Sequence, residues 1–120
     1  MDDNRKSQRH ARRLRAVIVC DEPGKPAKTH GKTQDLSNTG AAIISDCNLL
    51  SKQPVTVCLL VRPGDQINPP LVFEARSRII SCVLSRQQGG FRISVEFSKI
   101  EGDGSIVLKK FLSASMATAG

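Results

Sequence analysis

Apolar and polar residues alternate strictly between Phe91 and Phe97. Phe91, Ile93, Val95 and Phe97 occupy the odd positions, and Arg92, Ser94 and Glu96 lie between them. Successive side chains of a β-strand point to opposite faces, so residues two apart share one face. On a helix, by contrast, apolar positions recur every three or four residues. The segment is therefore predicted to be a strand with one apolar and one polar face. Residues 87–90, Gln-Gln-Gly-Gly, are predicted to turn the preceding strand back into it.

Five further segments have the composition of strands. Each is short or rich in β-branched residues, and each ends near Gly, Pro or Asp. The segment 28–36 is weakly patterned, which predicts an exposed face or an edge position. The six predicted strands cover residues 14–20, 28–36, 41–45, 54–62, 71–85 and 91–97. Such strands joined by short turns favour an all-β-dominated chain folded as a small six-stranded antiparallel β-barrel.

The last quarter of the chain predicts one helix. Asp103-Gly104-Ser105 can cap it, and the pairs Val107/Phe111 and Leu108/Leu112 lie four residues apart on one face. Lys109 and Lys110 would face water, while the apolar stripe covers an open end of the barrel. We divide the chain into a flexible basic arm (1–8), one barrel domain with its C-terminal helix (9–112) and a frayed tail (113–120).

The lengths of the apolar runs and the positions of the cysteines indicate the cellular compartment of the protein. No run approaches the roughly 18 apolar residues of a membrane span, and no apolar segment of the signal-peptide type follows the basic N-terminus. We therefore expect a cytoplasmic protein without membrane insertion. The four cysteines stand singly, with no Cys-x-x-Cys and only two histidines, which predicts reduced, buried thiols and no metal site.

Residues 35–40, Asp-Leu-Ser-Asn-Thr-Gly, have the composition of a built turn leading into a strand. Asp35, Ser37 and Asn38 can each bond to neighbouring backbone amides, and we expect Gly40 to supply a positive φ. The turn offers a carboxylate, two hydroxyls, a carboxamide and backbone N–H groups. This set suits the edge of a purine and a phosphate oxygen.

Positive charge is concentrated upstream of that turn. The formal charge of the chain is +7, and residues 1–15 hold six basic and two acidic residues. Arg9 and Arg13 form an Arg-x-x-x-Arg pair whose planar forks can hold phosphates or the O6/N7 edge of guanine. Arg5 and Arg9 share this spacing, so the register stays open. We prefer Arg9/Arg13 because Leu14 begins the predicted strand directly afterwards, and we leave open whether Arg5 or Arg12 adds contacts.

Arg-x-x-x-Arg at the N-terminal edge, followed by Asp-x-Ser-x-x-Gly at the start of a strand, resembles the PilZ family of bacterial cyclic di-GMP receptor domains. The likeness extends from about Arg5 to Leu112, and similar sequences also carry a Gly-rich turn and a strand ending in Phe at the place of residues 90–97. It implies a barrel with a C-terminal helix and a site for cyclic di-GMP. The ligand-binding residues implied are Arg9, Arg13, Asp35, Ser37 and Gly40.

In this site Asp35 would accept hydrogen bonds from guanine N1–H and N2–H₂, and Ser37 would bond a phosphate or a base edge. Gly40 would let the backbone approach the ligand closely. Many similar proteins carry the domain fused to an output domain, whereas we expect a free-standing receptor here, with output through an unknown downstream protein partner. Gln8, just before the Arg pair, leaves open whether one ligand or a stacked pair binds.

Two other functions remain open on the residues alone. The first is a small basic β-barrel that binds nucleic acid through phosphates, against which the chain has four Phe and no Trp or Tyr to stack on bases. The second is a barrel that serves only as a scaffold. The sequence contains no nucleophile with its base, no phosphate loop and no metal-spaced His/Asp cluster, so we expect neither an enzyme nor a cofactor other than the ligand.

Overall fold

The computed structural model of the protein describes residues 13–61, 71–109 and 112. Strands dominate this part of the chain and close into an antiparallel barrel. In chain order they are β1 (Arg15–Val19), β2 (Lys28–Leu36), β3 (Gly40–Ser45), β4 (Val55–Val61), β5 (Leu71–Ser85) and β6 (Gly90–Ile100). The predicted six-stranded antiparallel β-barrel is confirmed.

The order of the strands around the barrel is β1-β2-β3-β6-β5-β4, and β4 pairs back onto β1. Closure gives each strand two neighbours and leaves no open edge. The edge position considered for β2 is therefore wrong, because β2 pairs with both β1 and β3. Its predicted exposed face is present, since Lys28, His30 and Lys32 are exposed. β3 lies between β2 and β6, so residues far apart in sequence meet across it.

The last two strands differ in detail from the sequence prediction. β6 continues to Ile100, beyond the alternating stretch, because its end pairs with β5 and the Ser98 hydroxyl donates to the carbonyl oxygen of Arg76 (2.9 Å). The register of β5 against β6 shifts twice, between Arg76 and Ser77 and between Ile79 and Ser81. The first shift leaves Ser98 of β6 as the extra residue and the second leaves Ile80 of β5, so each of the two strands carries one bulge, where a strand commonly bends.

The inward-facing residues form one apolar core. Alternation is clearest in β4, where every second residue from Val55 to Val61 is buried. The rings of Phe73 and Phe97 pack at 5.1 Å between centroids with a tilt of 56°. The largest fully buried apolar side chains are Phe73, Ile18, Leu36, Ile43, Leu49, Leu59, Ile93, Leu108, Val55 and Val57.

Residues 104–109 and 112 are helical. The backbone N–H groups of Ile106 and Val107 donate to the carbonyl oxygen of Asp103, which starts the helix at the predicted place. Leu108 and Leu112 belong to the core cluster, and Lys109 is exposed. Lys110 and Phe111, which the sequence placed on opposite faces, lie outside the described residues. No helix among the described residues is long and apolar enough to cross a bilayer.

The four cysteines are free thiols, but only Cys20 is buried. Cys47, Cys58 and Cys82 are half-buried, so the prediction of buried thiols is wrong for them. They lie on strand and loop positions that face partly outward. Desolvation by burial raises the pKa of Cys58, and the charge of Glu74 raises it further. Burial also raises the pKa of Cys82, although a hydrogen bond with the backbone of Leu49 partly lowers it.

We expect iodoacetamide at pH 8 to alkylate Cys58 and Cys82 several-fold more slowly in the native protein than in the same chain unfolded in urea. The thiolate is the nucleophile, and a raised pKa lowers its fraction at a fixed pH. Peptide mass spectrometry after timed quenching gives a rate for each cysteine. Equal rates in the folded and unfolded chain would contradict the shielding of these two thiols.

Candidate ligand-binding site

The turn between β2 and β3 is held from within by Ser37. The Ser37 N–H donates to the carbonyl oxygen of Gly40 (2.9 Å), and the Thr39 N–H donates to Ser37 Oγ (3.2 Å). Ser37 Oγ also lies 3.3 Å from the Gly40 carbonyl oxygen and 3.2 Å from Thr39 Oγ1. Ser37 is 1% exposed, whereas Asn38 and Thr39 face solvent. The buried Ser37 hydroxyl thus holds the shape of the turn, and its contact with a ligand stays a prediction.

Gly40 is the first residue of β3, and its φ is not positive, so the expected positive φ is wrong. The glycine is required for a different reason. A Cβ at position 40 would lie 2.4 Å from the carbonyl oxygen of Val95 on β6 and 3.4 Å from the Cα of Glu96. β3 therefore approaches β6 so closely that a side chain has no room. The close approach fixes the turn against β6, where the Phe97 N–H donates to the Thr39 carbonyl oxygen (2.8 Å).

Asp35 lies near the end of β2, just after an irregularity in its pairing. The register against β3 shifts between Thr33 and Asp35, which leaves Gln34 in a bulge. After this shift Asp35 pairs with Ala42, and Ala42 pairs with Ser94 on β6. Bulges commonly re-aim side chains next to functional sites. Here the bulge sets Gln34 and Asp35 together on the outer surface of the barrel.

Arg92 on β6 reaches across β3 to that pair. Its Nε donates to Gln34 Oε1 (2.9 Å), its Nη1 to Ser94 Oγ (3.2 Å), and its Nη2 forms an ion pair with Asp35 Oδ2 (3.4 Å). The side chains of Arg92 and Asp35 are 41% and 20% exposed. The two charges are therefore held in place and are still accessible from solvent.

The small side chain of Ala42 makes this crossing possible. Ala42 is completely buried but is not part of the apolar core inside the barrel. It stands between Asp35 and Ser94 on the intervening strand and has only a methyl group to place there. We name the four polar side chains around it, Gln34, Asp35, Arg92 and Ser94, the Asp35 cluster.

Arg13 is the only member of the predicted Arg pair within the described residues, because Arg9 lies outside them. The chain directly after Arg13 is fixed to β2: the Leu14 N–H donates to Thr33 Oγ1 (2.8 Å), and the Thr33 N–H donates to the Leu14 carbonyl oxygen (2.9 Å). Thr33 is two residues before Asp35. The exposed Arg13 guanidinium donates to Gln88 Oε1 (3.3 Å) in the turn between β5 and β6.

Two hollows lie near Arg13. A cavity of about 220 Å³ is lined by Arg13, Leu14, Arg15, Lys32 and Leu60, and so carries three cationic side chains. A wider groove of about 630 Å³ shares Arg15 and Lys32 but has an apolar floor that includes Val17, Cys58 and Val72. Nucleotide bases and phosphates need donors and acceptors, which the Asp35 cluster supplies and this floor does not. We therefore place the candidate site at the Asp35 cluster and Arg13.

The structure thus brings Asp35 together with residues that the sequence analysis did not select. Arg92, Gln34 and Ser94 were missed because Arg92 and Ser94 were assigned to the polar face of an alternating strand. The missing information was the strand order, in which β2 and β6 are the two neighbours of β3. Among the described residues, no group of three or more His, Cys, Asp or Glu side chains is arranged to hold a metal ion.

Comparisons with known proteins agree with this architecture. A family model described as "PilZ domain" matches residues 3–114. A solved structure of the inhibitor of motility (MotI/DgrA) of Bacillus subtilis superposes with a TM-score of 0.75 at 11% sequence identity. The match covers 96% of this chain and 52% of that one, so the chain spans about half the length of that protein. At this identity the likeness establishes the fold. No curated protein has a significantly similar sequence.

Proposed function

This chain belongs to the PilZ domain family, and we propose on that premise that it is a receptor for cyclic di-GMP. PilZ domains generally bind this ligand, and they act as binding or adaptor domains. We further propose that the chain has no catalytic activity and signals by contact with a downstream protein partner.

The Asp35 cluster is the observation that carries the proposal. A guanine presents N1–H and N2–H₂ as donors on one edge, and the partly exposed carboxylate of Asp35 is an acceptor of the right kind. Arg13 precedes Leu14, which is hydrogen-bonded to Thr33 two residues before Asp35, and its exposed guanidinium supplies a cation for a phosphate. A dinucleotide with two guanines and two phosphates uses both features at once.

The proposed setting is the cytoplasm. The four cysteines are unpaired thiols, as proteins of a reducing compartment keep them. This supports a receptor for an intracellular second messenger, and the proposal includes no cofactor beyond the ligand.

We propose that ligand binding orders the basic arm from residue 5 to residue 13, which lies outside the described residues except for Arg13. Its four arginines and one lysine repel one another and have few apolar residues to bury. Ordering the backbone costs about 1–2 kcal/mol per residue, and without an anion we expect little return for that cost. Two phosphates supply charge-assisted hydrogen bonds to the guanidinium groups. The ordered arm would then present a new surface to the partner.

Amide hydrogen exchange tests this part of the proposal. Residues 5–13 are expected to exchange rapidly in the free protein and to become protected at saturating cyclic di-GMP. Strand β4, on the far side of the ring of strands from β3, serves as the internal reference. Protection of residues 5–13 before ligand is added, or exchange that stays rapid at saturation, would show that the arm is not a switch.

Titration calorimetry with cyclic di-GMP, GTP and a mixed-sequence DNA oligomer separates the candidate functions. A cyclic di-GMP receptor binds the first ligand far more tightly than the other two at physiological ionic strength. A nucleic-acid-binding barrel would prefer DNA, with an affinity that falls steeply with salt. A scaffold would bind none of the three.

A further inference from the structure

We propose that Arg92 is the residue by which this protein selects guanine over adenine. The inference rests on the proposed function and adds a specificity-determining residue to its site. Neither the Arg-x-x-x-Arg pair nor the Asp-x-Ser-x-x-Gly turn includes position 92.

The guanidinium group of Arg92 has donors that its contacts within the protein do not use. A guanidinium group has five N–H donors, and the contacts to Gln34, Ser94 and Asp35 use three of them. Both Nη atoms carry a second hydrogen, and the side chain is 41% exposed. The three contacts thus fix the orientation of the Arg92 side chain, and the remaining Nη hydrogens are available to a ligand.

These donors lie close to the carboxylate of Asp35. Arg92 Nη2 lies 3.4 Å from Oδ2 of the carboxylate. On guanine, O6 is adjacent to N1–H, which is adjacent to N2–H₂. When the two carboxylate oxygens accept from N2–H₂ and N1–H, with Oδ2 at N1–H, O6 comes beside Oδ2. The Nη2 of Arg92 is then placed to donate to O6, so that one acceptor and one donor read the whole edge.

Adenine presents the opposite pattern along the same edge. It has a donor, N6–H₂, where guanine has O6, and an acceptor, N1, where guanine has N1–H. Arg92 would meet a donor and Asp35 an acceptor, so both contacts would be lost. Without Arg92, the N6–H₂ group of adenine could instead donate to Asp35. Removal of Arg92 is therefore expected to reduce discrimination between the two bases rather than to weaken both ligands equally.

The experiment measures the affinities of cyclic di-GMP and cyclic di-AMP for four proteins by titration calorimetry. The proteins are the wild type, Arg92→Met, Arg92→Lys and Arg78→Met. Met keeps much of the length of Arg and removes every donor, while Lys keeps the charge and loses the planar fork. Arg78→Met is the matched control, because Arg78 also forms an ion pair with a neighbouring strand, to Glu96 (2.7 Å), but outside the Asp35 cluster.

We expect Arg92→Met to lower the ratio of cyclic di-GMP to cyclic di-AMP affinity by at least about tenfold, the discrimination typical of a good pair of base contacts. Arg92→Lys should recover only part of the ratio, and Arg78→Met should keep the wild-type ratio. A ratio unchanged in Arg92→Met, or fully restored by Lys, would show that Arg92 only supports Asp35 and would overturn the inference. A wild type that binds neither dinucleotide would instead overturn the proposed function itself.

Discussion

Replacing Gly40 with valine is expected to lower the free energy of unfolding by about 3 kcal/mol, at the upper end of the usual cost of overpacking. The reason is the 2.4 Å that would separate a new Cβ from the carbonyl oxygen of Val95. The neighbouring atoms belong to the backbone of β6, so no flexible side chain can move aside. β3 must shift away from β6, which also disturbs the turn at Ser37 and should weaken cyclic di-GMP binding. Urea unfolding followed by circular dichroism measures the stability.

Gly24→Ala is the control for this variant. Gly24 has a φ of 84°, and no atom lies within 4 Å of the position that a Cβ would occupy. Its substitution should cost about 1–2 kcal/mol through backbone conformation alone, with ligand affinity unchanged. A Gly40→Val protein as stable as the wild type would contradict the close approach of β3 and β6. Lost stability with full ligand affinity would show that the turn matters for folding only.

Replacing Arg13 with alanine is expected to weaken cyclic di-GMP binding by about 1.5–3 kcal/mol, or roughly 10- to 150-fold, the range for hydrogen bonds to charged groups. The fold should be unaffected, because Arg13 is exposed and its contact with Gln88 is long, at 3.3 Å. We expect a similar loss for Arg9→Ala, because Arg9 is the other member of the Arg-x-x-x-Arg pair. Calorimetric affinity and thermal unfolding on the same samples separate the two effects.

Arg15→Ala controls for loss of charge alone. Arg15 is an exposed cation two residues from Arg13 and lines the same cavity. A ligand attracted only by local positive charge would respond equally to both substitutions, whereas a specific contact responds to Arg13. Wild-type affinity in both Arg9→Ala and Arg13→Ala, combined with a loss in Arg5→Ala, would overturn the Arg9/Arg13 register.

The strands were predictable because alternation is a local property of the sequence. β6 shows this best: Ile93 and Val95 are buried and Glu96 is exposed, as their positions in the alternating stretch required. The extension of β6 to Ile100 was not predictable, because Lys99 and Ile100 are held by pairing with β5 and residues 98–100 do not alternate. Closure of the barrel through β1 and β4 depends likewise on contacts between distant segments.

The candidate site was predictable only in part, for the same physical reason. The Asp35 turn could be recognised because its polar residues bond to their own backbone, as the Ser37 hydroxyl does. The place of Arg92 beside Asp35 depends on strand order and on the small size of Ala42 between them, and neither is visible in local composition. The need for Gly40 was predicted, but its cause is packing against Val95 rather than a positive φ.

Amide chemical shifts test most directly our claim that the outer face formed by β2, β3 and β6 binds cyclic di-GMP. A ¹⁵N-labelled sample titrated with cyclic di-GMP should show its largest shift changes at residues 34–40 and 92–94. Amides of β4, such as Val57, should stay in place. Shift changes concentrated along β4 and β5, or no changes at millimolar ligand, would contradict the claim.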